Sequence, residues 1–268
     1  MGRDLRIIHA AIILPGRVPQ AAADHRLATM PGSIPNRPER GKNVTENDAP
    51  ASGGEHKDEE VQAGIGRVME ALEQGRAQDA LAATRDLLDR FPDHPDPYHM
   101  LGVLLLKGGR PDQAAAALRR AVAANDQLPG VHYNLALALR ALGQREEAFA
   151  ALDRAIDLKP EHADAHAKRA EMLAALGRHE EAESGWRAVS ALRPDDPVAL
   201  CGIARAQIAG GRAVEAVETV DAAMAGHPDN SDLEILKARA LEAAEGPAAA
   251  LAWLENSGPG EPVEAERM

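Results

Sequence analysis

Apolar residues recur at helical spacing along most of this chain. One stretch shows the pattern plainly: Leu135, Leu139 and Leu142, then Phe149, Leu152, Ile156 and Leu158. Spacings of three and four predict amphipathic helices. Gly143 separates the two runs and Pro160 closes the second. A glycine allows the left-handed backbone that ends a helix, and a proline cannot continue one. The stretch therefore predicts a helical hairpin.

The hairpin repeats. Frames of 34 residues begin at Val61, Pro95, Pro129, Ala163, Pro197 and Ser231, with no insertion or deletion between them. The fifteenth position reads Gly75, Gly109, Gly143, Gly177 and Gly211, then Glu245 with Gly246 beside it. The twentieth reads Ala80, Ala114, Ala148, Ala182, Ala216 and Ala250. Alanine there lets the second helix approach the first closely, where a larger side chain would overpack. Near the end of the frame Pro92, Pro160, Pro194, Pro228 and Pro262 stop the second helix, with Asp126 the one departure. A single hairpin cannot bury its apolar faces alone and must pack on its neighbours.

In these residues the chain resembles the tetratricopeptide repeat family, built from 34-residue helix–turn–helix units. The third frame carries the resemblance best, with Tyr133, Asn134, Leu135, Ala136, Leu139, Gly143, Ala148, Leu152, Ala155 and Pro160. The likeness covers residue 61 to about residue 256. Departures lie at the ends. The first frame has Gly64, Arg67 and Thr84 where the family carries larger apolar residues, and the sixth loses its second helix early, at "ENSGPG". Arg67, Arg169 and Lys237 stand at the seventh position in place of Leu; their stems are expected to pack while their heads reach water. The resemblance implies an all-α fold, a right-handed α-solenoid of six helix–turn–helix repeats over 61–256. A disordered segment (1–60) precedes it and a flexible tail (257–268) follows.

Such arrays hold peptides or helices of partner proteins against their first helices. Carried over to this sequence, the groove positions are Ile65, Met69, Leu72, His99, Met100, Val103, Leu106, Tyr133, Asn134 and Leu137 in the first half. Arg140, Lys168, Glu171, Cys201, Arg205, Ile208, Asp232, Ile235, Arg239 and Glu242 follow. The implied groove is apolar towards its amino end and mixed, with four cations, towards its carboxyl end. An apolar peptide or helix flanked by acidic residues suits both halves. The carboxylate clamp of chaperone-binding members is not matched, because the fifth positions (Ile65, His99, Tyr133, Ala167, Cys201) include no Lys. Asn134 stands alone, so the asparagine ladder of the related glycosyltransferase arrays is also missing.

Composition narrows the picture. Only 2% of residues are aromatic while 45% are hydrophobic, so the core is expected to be built from Ala and Leu in close helix packing. A formal net charge of −12 argues against nucleic acid as a partner. A single cysteine, Cys201, excludes an intramolecular disulfide. No apolar run is long enough to span a bilayer; "LRIIHAAIIL" (5–14) is too short. Prolines at 15, 19, 31, 35, 38 and 50 break up the amino-terminal sixty residues. Charge there is segregated, with seven Lys/Arg against three Asp/Glu in 1–42 and one against six in 43–60. The expected compartment is the cytoplasm, or an exported one if residues 1–23 act as a signal; a start at Met30 is the third reading.

No motif for chemistry competes with the scaffold. GxxxxGK[ST], HExxH, GxSxG and paired CxxC are all missing from the sequence. His162 and His166 are four apart but need not share a face, and His132 and His166 read as packing histidines. Neither a catalytic residue, a metal site nor a cofactor is expected. The leading reading is a non-enzymatic adaptor. Two alternatives are a structural, self-associating array joined through its carboxyl edge at Trp253, and a regulatory subunit of a separately encoded enzyme such as a transferase.

Overall fold

A computed structural model describes residues 52–194 and 196–257. All of the described regular structure is α-helical. The helices are α1 (Ser52–Glu73), α2 (Ala77–Arg90), α3 (Pro95–Lys107), α4 (Pro111–Ala124), α5 (Pro129–Ala141) and α6 (Arg145–Leu158). They continue with α7 (Ala163–Ala175), α8 (His179–Leu192), α9 (Pro197–Ala209), α10 (Ala213–Gly226), α11 (Ser231–Glu245) and α12 (Pro247–Ser257). The chain forms two compact units, Met1–Leu158 and Lys159–Met268. Helices α1–α6 belong to the first and α7–α12 to the second.

The hairpin turns follow local rules. Gly75, Gly109, Gly143, Gly177 and Gly211 all have φ between 68° and 76°. The residue after each donates its N–H to a carbonyl five residues back, as from Arg110 to Leu105 at 2.9 Å and from Arg178 to Leu173 at 3.0 Å. This double turn satisfies carbonyls that the helix end leaves open. In the sixth frame the positive φ falls on Gly246, one residue late, and α11 is correspondingly longer at fifteen residues. The last helix has eleven residues against fourteen in the other second helices, the early loss the sequence points to.

Helix starts are equally local. Proline occupies the first turn of α3, α4, α5 and α9, where its missing N–H costs nothing. Side chains of His94, Asp196 and Asn230 accept from backbone N–H groups at the starts of α3, α9 and α11. One boundary differs from the sequence reading. Helix α1 begins at Ser52, so the division at residue 60 falls inside it. Asp58 and Glu60 face His94 and Arg90, which ties this extension to the end of the first hairpin. The export-signal, alternative-start and tail readings concern residues 1–51 and 258–268, outside the described residues.

Within each unit, successive first helices pack side by side and each second helix packs on the first helices around it. The twentieth-position alanines are all buried, five of them completely. In the first unit Val61, Ile65, Val68, Leu87 and Met100 form one cluster. In the second unit Trp186 and Val189 pack with Ala163, Ala170, Ala199 and Ile203. Cys201, Ala204, Val220, Ala223, Leu233 and Leu236 form a further cluster. No described helix is long and apolar enough to cross a membrane.

Candidate functional site

The first-helix face differs between the two units. In the first, Met100 and Val103 are only 3% and 6% exposed. Their expected place in the groove is therefore corrected. Both point into the core, Met100 against Val61, Ile65 and Leu87, because a first helix must cover its neighbouring hairpins before it can offer anything to a ligand. Ile65 is buried in the same cluster. Met69 and Leu72 are half-buried and packed on it. Leu106, Tyr133 and Leu137 are half-buried, and Arg140 is exposed. The Asn134 amide is buried and donates to His99 Nε2 at 2.8 Å, so these two polar side chains satisfy each other.

The second unit is more open. Helices α9 and α11 pack against each other. Each carries an arginine at the ninth position of its frame, Arg205 and Arg239, and both are exposed. Among the described residues neither makes a hydrogen bond or a salt bridge. Earlier on the same two helices Val198 and Ile235 are 60% and 58% exposed, unusual for β-branched residues on a packed helix. Asp232 and Glu242 are exposed on α11, and Ile208 is half-buried. Lys168 is not a free cation, because its ammonium pairs with Glu171 one turn on. Cys201 is buried, and burial pushes its thiol up despite the nearby Arg205, so it is neither nucleophile nor groove residue.

The histidines are structural. His132 Nε2 donates to the Asp126 carbonyl and His166 Nε2 to the Pro160 carbonyl, both at 2.9 Å. Both rings stand at the fourth position and reach the thirty-second of the preceding frame. His162 caps α7, its Nδ1 accepting from the Ala165 N–H. No group of three His, Cys, Asp or Glu among the described residues is placed to hold a metal. The expected solvated head at Lys237 is corrected: its ammonium is buried and pairs with Asp221 of α10. Trp253, the residue expected to mark the carboxyl edge, is half-buried, whereas Leu251 and Leu254 beside it are exposed.

Two features are not evident in the sequence. One is a cleft of about 310 Å³ in the first unit, between α4 and α6 and floored by Leu135 and Leu139 of α5. Its rim is closed by Arg119 donating to Glu147 at 2.7 Å, so its charges are already matched. The other is a buried polar network in the second unit. Glu183 of α8 accepts from Arg187 at 2.8 Å and from Gln207 of α9 at 3.2 Å, and also from Arg212. Thr219 of α10 donates to Gln207 at 2.9 Å. Burial alone would push the Glu183 carboxyl up, but the hydrogen bonds and charges of Arg212 and Arg187 hold it below its ordinary value. Only the Arg187 pairing is local; Gln207 on α9 and Arg212 in the turn before α10 are brought to Glu183 by folding.

This network gives a pH prediction. A carboxyl depressed in the folded state stabilises above its unfolded pKa, and that contribution is lost as pH falls through the folded one. Wild type should therefore lose more stability between about pH 5 and about pH 3 than Glu183→Gln does. At neutral pH the variant should be less stable by about 1–3 kcal/mol. Denaturant melts of both proteins at each pH measure the difference; parallel losses would place the depressed carboxyl elsewhere.

Repeated helical hairpins joined by glycine turns define a helical-repeat architecture. The family model for the tetratricopeptide repeat matches residues 65–129 and 133–197. Over those residues the chain carries tetratricopeptide repeats, the units of a family whose arrays serve as protein-interaction scaffolds. Solved structures agree on the fold. PilF of Pseudomonas aeruginosa is similar at 21% identity and a TM-score of 0.60, over 78% of this chain and 95% of that one. PilW, described as a type IV pilus biogenesis factor, is similar at 19% identity and a TM-score of 0.62, over 75% and 94%. YrrB, described as having an unusual peptide-binding site, is similar at 22% identity and a TM-score of 0.56, over 69% and 96%. No curated protein matches the sequence.

Proposed function

We propose that this protein is a non-enzymatic adaptor that holds an acidic, apolar-flanked peptide of a partner protein on the first-helix face of its second unit. One observation carries the reading. Arg205 and Arg239 stand exposed at equivalent positions of two packed helices, without a salt bridge of their own among the described residues, and exposed Val198 and Ile235 precede them on the same helices. Guanidinium groups on a rigid helical platform recognise carboxylates bidentately, and aliphatic side chains on the same helices bury the flanking residues. Asp232 and Glu242 on α11 disfavour further acids at the ends of the peptide and so help set its register. The peptide-binding site named for YrrB supports the same class of activity.

Binding to an immobilised array of peptides, each with two Asp or Glu flanked by Leu or Ile, tests the reading. Wild type should retain a subset of them. Arg205→Glu with Arg239→Glu should weaken those contacts roughly tenfold or more, because like charges then face the peptide. Helix content should be unchanged, since both side chains are in solvent. Equal retention by the double variant would refute the reading.

A further inference from the structure

We infer that copies of this chain associate head to tail, the last hairpin of one seating on the first helix of the next. Inside the second unit, the side chain at position 24 of one hairpin packs among positions 3, 6 and 7 of the next first helix. Trp186 lies against Gly202 and clusters with Ala199 and Ile203. Val220 clusters with Leu233 and Leu236. Among the described residues no hairpin follows helix α12, and its residues at positions 21 and 24, Leu251 and Leu254, are 59% and 48% exposed. Among the described residues no hairpin precedes helix α1, and its residues at positions 3, 6 and 7, Ala63, Gly66 and Arg67, are exposed. A methyl added at Gly66 meets nothing within 4 Å, whereas Gly202 at the same position receives a Trp ring. The two ends thus expose the two halves of a joint that the chain already makes internally.

Charge matches as well. Lys237, at position 7, is held by Asp221, at position 25 of the preceding frame. The sequence register follows one rule. Position 7 is apolar at Leu101, Leu135 and Ile203, where the preceding position 25 is arginine (Arg85, Arg119, Arg187). It is cationic at Arg169 and Lys237, where the preceding position 25 is Asp153 or Asp221. At the ends of the array position 25 is Glu255 and position 7 is Arg67, again acid with cation. Both are exposed, and neither has a hydrogen bond or salt bridge among the described residues. A second copy of this chain therefore supplies both the apolar cover and the charge that each end lacks. Because the two surfaces differ, the contact is heterologous and extends beyond a dimer.

Sedimentation velocity of the full chain, from about 1 to about 300 μM, tests this in the range where small interfaces associate. The mean mass should rise with concentration past that of a dimer. Arg67→Glu and Glu255→Arg should each weaken association roughly tenfold or more, by placing like charges across the joint. The double variant carrying both changes should associate again, because the pair is remade with reversed sign. An equimolar mixture of the two single variants should also associate, since each supplies the partner the other lacks. Leu254→Asp should be monomeric with unchanged circular dichroism. A wild type that stays monomeric, an assembly indifferent to Arg67→Glu, or a double variant that fails to recover would each overturn the inference.

Discussion

Ala148→Trp should lower the unfolding midpoint by several degrees while the isolated hairpin sequence keeps its helical propensity. Ala148 opens the second helix of the third frame and is completely buried. It stands at the twentieth position, alanine in all six frames, a side chain small enough to let α6 pack closely on α5. An indole there has no room unless the helices separate, and separation strips cover from Leu139 and Leu152, both almost fully buried. Overpacking of this kind costs about 3 kcal/mol. In a chain of this size that corresponds to a fall of roughly 6–12 °C. Thermal denaturation followed by circular dichroism measures it. An unchanged melt would mean that close packing does not depend on the twentieth position.

The second large effect is expected at Gly202. Its helical backbone needs no glycine for its dihedrals; the space beside it does. A methyl at this position would lie 2.7 Å from Trp186 Cγ and closer still to Cδ2 and Cε2. The ring is pinned by Val189, Ala199 and Ile203, so it cannot simply swing away. Gly202→Ala should therefore destabilise by about 1–3 kcal/mol although alanine is the better helix former. Trp186→Leu in the same chain should recover part of the loss, since the smaller side chain leaves space for the methyl. The coupling between the two changes, measured by denaturant melts of both singles and the double, isolates the contact. If the losses merely add, the ring and Gly202 do not share the joint.

Hairpin number, turn positions and helix ends were legible in the sequence because each depends on a few consecutive residues. A glycine at the fifteenth position, proline in a first helical turn and alanine at the twentieth position act on the local backbone or on the partner helix of the same hairpin. Their signals survive translation by 34 residues. The sixth frame illustrates the same locality, since its positive φ moved with the glycine to Gly246.

Burial on the first helices was decided by the tertiary structure. Position nine holds Val103 in the core of the first unit, yet Arg205 and Arg239 in solvent in the second. The repeat register treats these as equivalent, but what covers each of them comes from other helices. Glu183 and Lys237 show the same limit for charge. Each looks like an ordinary polar residue of a helix until its distant partners are seen: Gln207 on α9 and Arg212 in the turn before α10 for Glu183, Asp221 on the preceding helix for Lys237. The sequence by itself determined the periodic backbone, because capping and close approach are short-range. Which side chains were left exposed and unmatched followed from packing between hairpins, where the energy of a residue depends on neighbours it meets only after folding.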